Sequence, residues 1–233
     1  MKKIFTLLVL TLFIASCSSK KEGNMIVNGQ IKGLKKGTLY LQKMKDTLLV
    51  SVDSVKLVGN DTFVLTDNID APELYFLTFD ANTRDKRILF FGEKGTITIN
   101  DDVNTFGYQP EITGSKNQTI LETYNKVKMK FQNERLEFVK KNFDAQKAKD
   151  QELVEQLAKE YQKLTKRRVL YTTNFALNHT DSEVAPYIAL TEMYDASLQM
   201  LDTVNNSLSE RVKNTKYGKR FQKYVKNLKT KKQ

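Results

Sequence analysis

Cys17 is the only thiol in this chain and His179 the only imidazole. A single cysteine forms no disulfide within the chain, no Cys-x-x-Cys pair and no thiolate metal site. Cys17 closes the tetrapeptide Ile14-Ala15-Ser16-Cys17, which follows Lys2, Lys3 and an apolar run that begins at Ile4. A charged start, a short apolar core and small residues before a cleavage point make a secretory signal. With cysteine as the first residue after the cut, the tetrapeptide looks like a bacterial lipobox. The chemistry expected of Cys17 is lipid attachment, with residues 1–16 as the signal peptide. A transmembrane anchor is the alternative, but roughly a dozen apolar residues fall short of the ~20 that span a bilayer. An acylated Cys17 leaves no free thiol, so redox catalysis by this chain is excluded on that reading.

The remaining inventory for catalysis is thin. His179 lies in Asn178-His-Thr-Asp-Ser182 between two expected helices, with no serine or cysteine nucleophile at a familiar spacing, and it is expected to be structural. Asn100-Asp101-Asp102 reads as a solvated turn after a strand rather than a weak calcium site, since no EF-hand spacing surrounds it. Gly92-Glu-Lys-Gly95 joins two expected strands, so its glycines serve a turn and not a phosphate loop. No catalytic residue, metal or cofactor is expected, and the chain reads as non-enzymatic. Asp46-Thr-Leu, Asp53-Ser-Val and Asp202-Thr-Val resemble the Asp-Ser/Thr-aliphatic tripeptide of periplasmic O-glycosylation in some bacteria, although the motif is short and loose.

Charge and aromatic residues supply two candidate surfaces. The net charge is +11, but it is uneven: residues 18–114 carry 12 Lys+Arg against 13 Asp+Glu, and residues 115–233 carry 24 against 14. From Arg211 onward there are ten basic residues and no acidic one. Lys216, Lys219, Arg220, Lys223 and Lys226 stand beside Tyr217, Phe221 and Tyr224, a pattern that fits a helix lying apolar side down on an anionic surface. The other reading is a terminal helix packing that stripe on a bundle. For a lipoprotein the available polyanions are lipid headgroups, envelope polysaccharide or an acidic protein, not nucleic acid. In the first half, Tyr40, Tyr75, Phe76, Phe79, Phe90 and Phe91 either line a ligand cleft or, at strand spacing, form core.

These residues are carried by two regions of different texture. Ser18 to Asn24 is small and polar, which makes residues 17–24 a lipidated tether. From Met25, short apolar runs alternate with Gly, Asn and Asp turns. They predict strands at Met25–Ile31, Thr38–Met44, Leu48–Leu57, Thr62–Thr66, Glu73–Phe79, Arg87–Phe91, Thr96–Asn100 and Glu111–Thr113. Gly59-Asn60-Asp61 is the strongest hairpin signal among them. Residues 25–114 are thus expected to form an antiparallel β-sandwich or a curved sheet. After Gly114 the period changes to that of helices. Ser115 caps a helix with the stripe Ile120, Tyr124, Val127 and Phe131, continued with a phase shift by Leu136, Val139 and Phe143. A polar link at Asp144–Lys149 leads to a second helix, capped by Asp150, with Leu153, Leu157, Tyr161, Leu164, Tyr171 and Phe175 on one stripe. The two are expected to pair antiparallel; the repeat is too short and interrupted for an isolated coiled-coil dimer. A third helix opens near Asp181–Glu183, with Pro186 in its first turn, and carries Val184, Ile188, Met193 and Leu198. Ser207 is expected to cap a short helix with Leu208 and Val212, and a last helix follows Thr215 or Gly218. The fold class is α+β, with an all-α module over residues 115–233.

The order of these features resembles a known family. Ile31-Lys-Gly-Leu-Lys-Lys-Gly-Thr-Leu-Tyr-Leu, Val52-Asp-Ser-Val, Gly59–Phe63, Phe90-Phe-Gly-Glu-Lys-Gly-Thr-Ile-Thr-Ile99 and Thr113-Gly-Ser115 are similar to the uncharacterised N-terminal domain (DUF4369-type) of thioredoxin-like envelope lipoproteins. Asn178 to Tyr187, Ser207–Val212 and Asn214–Arg220 resemble the helical segment that follows it there. In those relatives a thioredoxin fold with a Cys-x-x-Cys site comes next, and its catalytic residues have no counterpart here. The resemblance implies an accessory module without the enzyme. The expectation is a membrane-anchored, periplasm-facing lipoprotein that acts in binding or protein interaction through an envelope partner. The alternative is an auxiliary component of a thiol-redox system served by a separate thioredoxin-like protein. Substituting Cys17→Ala is expected to abolish incorporation of labelled palmitate and to leave uncleaved or soluble protein in membrane fractionation; unchanged labelling would defeat the lipobox reading.

Overall fold

The computed structural model describes residues 23–80 and 87–230; the expected signal peptide over residues 1–16 and the expected lipid attachment at Cys17 lie outside them. Gly23 and Asn24, assigned above to the tether, belong to the folded part. Asn24 donates to the Ile69 carbonyl at 2.9 Å and accepts from the Ile69 amide at 2.8 Å. These two bonds pin the entry to the first strand.

Among the described residues eight strands follow: β1 Met25–Lys32, β2 Lys36–Lys45, β3 Leu48–Val58, β4 Thr62–Asp67, β5 Glu73–Phe79, β6 Arg87–Gly92, β7 Gly95–Asp102 and β8 Glu111–Thr113. They form two four-stranded sheets in the orders β4-β1-β7-β8 and β3-β2-β5-β6. Met25, Val27, Phe63, Leu65, Ile97 and Ile99 of the first sheet share one core with Leu39, Leu41, Tyr75, Leu77, Ile88 and Phe90 of the second. The arrangement is a sandwich, not a single curved sheet.

Two expectations about pairing are corrected. The sandwich is not wholly antiparallel, because β1 runs parallel to β7 from Met25↔Gly95 to Lys32↔Asp102. The turn at Gly59-Asn60-Asp61 does not close a hairpin either; β3 and β4 lie in different sheets, and the turn carries the chain across. Turn chemistry reports a local reversal of direction, not which strand lies alongside. The ladder partner of β3 is β2, joined through a tight turn at Asp46 (φ 55°), with a bulge between Leu41 and Gln42. The extra residue, Val52, is on β3, and Lys43 follows Leu41 by two positions on the inner side of the sheet, opposite Tyr75 in the register.

The helices are α1 Lys116–Ala148, α2 Gln151–Leu177, α3 Val184–Glu192, α4 Leu198–Ser207, α5 Glu210–Lys213 and α6 Lys216–Thr230. Ser115 and Asp150 cap α1 and α2, accepting from the amides of Gln118 and Leu153 at 3.0 Å each. The expected link at Asp144–Lys149 is shorter than its composition suggests. The stretch Asp144–Ala148 contains no Gly or Pro and stays helical, and left-handed Lys149 (φ 58°) ends α1. Leu198 starts a separate helix, α4, capped by Ser197, rather than extending α3. Ser209, not Ser207, caps the short α5. Among the described residues no helix is long and apolar enough to cross a membrane.

The closest approach in the sandwich is at Gly29, where an added Cβ would stand 1.8 Å from the Ile99 carbonyl oxygen on the parallel neighbour. Gly29→Ala is expected to cost about 3 kcal/mol or more in urea unfolding, because backbone must move. Gly95→Ala, with φ +116° but open space around it, should cost about 1–2 kcal/mol. Equal losses would show that the tight β1–β7 packing is absent.

Candidate functional site

The surface with the most unassigned features is the seam where the sandwich meets the helices. Its centre is β6. Phe90 points into the sandwich and stacks on Tyr75, with ring centroids 5.9 Å apart. Phe91, on the opposite face, enters the helical core edge-on to Tyr187 and Tyr217 at 5.6 and 6.0 Å. β6 is an edge strand, and the Phe91 amide donates to Gln118 Oε1 of α1 at 3.0 Å. The Leu74 amide on β5 donates to the Tyr217 hydroxyl of α6 at 3.2 Å. Glu93 accepts from the amide of Lys116 and the side chain of Asn117, a carboxylate seated on the N-terminus of α1.

A charged network crosses the same seam. Lys43 donates to Asp67 at 2.6 Å and to the Tyr75 hydroxyl at 3.1 Å, and lies 3.4 Å from Glu73. Glu73 also accepts from Lys216 of α6, which donates to the Met44 carbonyl at 2.6 Å. Burial lowers the Lys43 pKa, but the bond to Asp67 and the charges of Glu73 and Asp67 outweigh it and leave the group above 10.5. Burial and the bond to Asp67 push the Tyr75 phenol well up. Burial pushes Tyr217 up to about 12, against the donated Leu74 amide. Tyr124, bonded to Thr172 inside the helical core, is likewise pushed up by burial to about 12.

The sequence candidates fall as follows. Lys216 is held by Glu73 and Met44; Arg220 lines the cleft between the modules; Lys219, Lys223 and Lys226 are exposed. Tyr217, Phe221 and Val225 are buried in the helical core, and Tyr224 packs against it. The aromatic stripe of α6 therefore faces protein, leaving only its basic side outward. Of the six aromatics named above as cleft or core candidates in the β part, Tyr75 and Phe90 are sandwich core, Phe79 packs against it, Phe91 is helical core and Phe76 lines the intermodule cleft. Tyr40 is half-buried. His179 Nδ1 lies 2.8 Å from the Phe175 carbonyl, and its ring stacks on Phe175 at 4.2 Å, which closes the end of α2. Asn100 and Asp101 accept from the amides of Gln30 and Gly107, and Asp102 caps the short 3-10 turn Val103–Thr105. Among the described residues no group of three or more His, Cys, Asp or Glu side chains could hold a metal. Of the three glycosylation-like tripeptides, Asp46-Thr-Leu lies in the exposed β2–β3 turn, whereas Asp53 accepts the Thr66 amide at 2.9 Å and Asp202 pairs with Lys229.

Sequence reasoning missed a second surface. Leu136, Val139 and Phe143 continue the α1 stripe by type, yet they are 65, 57 and 66% exposed. The step from Phe131 to Leu136 is five residues, or about 140° around the helix, so the row leaves the face that α2 covers. Phe138, edge-on to Tyr161 of α2, and buried Ala145 carry the inward row instead. From Leu136 to Glu160 the buried side chains are Ala145 and Leu157, so the ends of α1 and α2 form an arm about 20 Å long.

The fold and its seam define the class: an α+β protein in which a mixed β-sandwich is followed by, and shares an edge strand with, a helical module. Residues 25–121 match the model of a family described as a domain of unknown function (DUF4369). That match runs past β8 into the first turns of α1, and so includes Ser115, Asn117, Gln118 and Leu121 at the seam. No curated protein and no solved structure matches the chain.

Lys43, Tyr75, Tyr124 and Tyr217 all have folded pKa values above their ordinary ones. Stability from such groups is complete below the unfolded pKa and is lost as pH rises through the folded value. Unfolding free energy is therefore expected to hold level to about pH 10 and to fall above it, with a shallower fall in Tyr75→Phe. Urea titrations from pH 7 to 12 measure this; the same slope in both proteins would remove Tyr75 from the explanation.

Proposed function

We propose that this chain is a non-catalytic interaction module, attached to the envelope membrane through lipidated Cys17 and facing the periplasm, that presents the α1–α2 arm to a protein partner. The observation that carries the reading is the row Leu136, Val139 and Phe143. Single exposed apolar residues are ordinary, but three at i, i+3 and i+7 form a continuous stripe. Among the described residues the stripe belongs to neither core. Beside it, Phe138, Val139, Val154, Ala158 and Tyr161 line an apolar groove of about 420 Å³ between the two helices. The arm leads away from the helical core, which holds its base through Leu121, Tyr124 and Phe175. A rigid base with an apolar tip suits recognition of another chain. The similarity to the N-terminal part of thioredoxin-like lipoproteins supports a second reading, in which the partner is itself a thiol-redox protein.

The test is photocrosslinking in native envelopes from a probe placed at Val139, compared with a probe at exposed Lys56 on the sandwich. The reading predicts a discrete adduct at Val139 that disappears in Leu136→Glu/Phe143→Glu. Those exposed substitutions should change stability by no more than about 0.5 kcal/mol. Equal adducts at both positions, or an adduct indifferent to the double substitution, would sink it. Identification of a Cys-x-x-Cys protein in the adduct would favour the redox reading over a general one.

A further inference from the structure

The cleft at the seam has features that neither the arm nor the core requires. It lies between the outer side of β2 and β5 and the helices α3 and α6, and holds about 430 Å³, within the range of small-molecule sites. Met44, Leu74, Phe76 and Leu190 give it apolar walls drawn from three elements.

The polar groups around those walls are nearly all donors. Glu73 is already held by Lys43 and Lys216, and Lys216 also serves the Met44 carbonyl. Arg220 is different: its guanidinium reaches only the Asp46 carbonyl, at 3.5 Å, the outer limit of a hydrogen bond. It lines the cleft as a cation without a carboxylate partner among the described residues. The Tyr217 hydroxyl accepts the Leu74 amide and keeps its own proton to donate. The Tyr187 phenol also lines the cleft and has no hydrogen-bond partner among the described residues. Burial raises the pKa of both phenols, so they remain protonated at neutral pH.

An apolar slot ringed by one uncommitted guanidinium and two phenol donors selects a ligand with an apolar chain and an acceptor-only head. A carboxylate is such a head, and it pairs with a guanidinium through two parallel bonds. We propose that this cleft binds a single-chain carboxylate amphiphile of the fatty-acid class, with its chain against Leu74, Phe76 and Leu190 and its head on Arg220. The site is separate from the arm and does not depend on the protein-partner reading.

Dodecanoate is the probe, titrated calorimetrically below its micellar concentration into the chain from residue 18 onward, which holds every described residue and both cores. One saturable site per chain is expected. Arg220→Gln, at an exposed position, should weaken binding about tenfold or more. Dodecyltrimethylammonium, with the same chain and the opposite head charge, should bind at least as much more weakly. Leu190→Glu should abolish dodecanoate binding, while Val139→Glu in the arm should leave it unchanged. Absence of saturable binding overturns the proposal. So does equal affinity for the two amphiphiles with Arg220→Gln unaffected, which would mean apolar partitioning alone. Loss of binding in Val139→Glu with retention in Leu190→Glu would move the ligand to the arm and overturn the assignment here.

Discussion

Everything in this structure depends on β6 having two sides. Side chains along a strand alternate between faces, so adjacent phenylalanines at 90 and 91 must point opposite ways. Phe90 completes the sandwich core, and Phe91 is the aromatic around which Tyr187 and Tyr217 gather. Both are fully buried. One edge strand is therefore part of two hydrophobic cores, and a slip of one residue would expel both rings from their sites. The unpaired edge that makes β6 available to the helices is also a liability. Gln118 covers it at Phe91, and Gly107 packs against the carbonyl of Arg87 at the other end.

The polar contacts at the seam follow from that constraint. Bringing helices onto a strand edge buries the ends of β2 and β5 and the start of α1, and each exposes groups that need partners. Glu93 takes the first amides of α1, Tyr217 takes the amide of Leu74, and Lys216 bridges Glu73 and the Met44 carbonyl. The charge excess of the C-terminal half is thus not all free surface. Lys216 pairs with the sandwich carboxylate Glu73, while Lys219, Lys223 and Lys226 stay in solvent. The arm is the contrary case. Farther along, from Phe138, the groove between the two helices is lined by α1 and α2 alone among the described residues, and the second apolar row on α1 stays exposed.

Local features were legible from residues alone. All eight strands lie within a few positions of where period-two runs and Gly, Asn and Asp turns place them. The caps at Ser115 and Asp150 hold the amides that their side chains suggested. His179 was placed between two helices by its neighbours in sequence, and it lies there, with its ring on Phe175 at the end of α2. The arm's second row was legible in principle, because the five-residue step after Phe131 is visible in the sequence. The phase shift does not by itself say which face α2 covers, and so leaves the exposure of that row to the packing. The seam left no comparable signal: Glu73, Gln118 and Lys216 are ordinary polar residues far apart in the chain.

Taken alone, the sequence determined the two textures and the change of period near Gly114, and it holds one cysteine and one histidine. These are properties of neighbours along the chain, and periodicity and turn chemistry act over a few residues. Tertiary structure decided what is paired with what: the parallel contact of β1 with β7, the passage of the Gly59–Asp61 turn between sheets, the holding of Lys216 by Glu73, and the burial of the α6 aromatic stripe. Such pairings are chosen by the competition of whole faces for burial. Many sequence-distant partners of equal local quality are available, and only the packing of the complete chain selects among them.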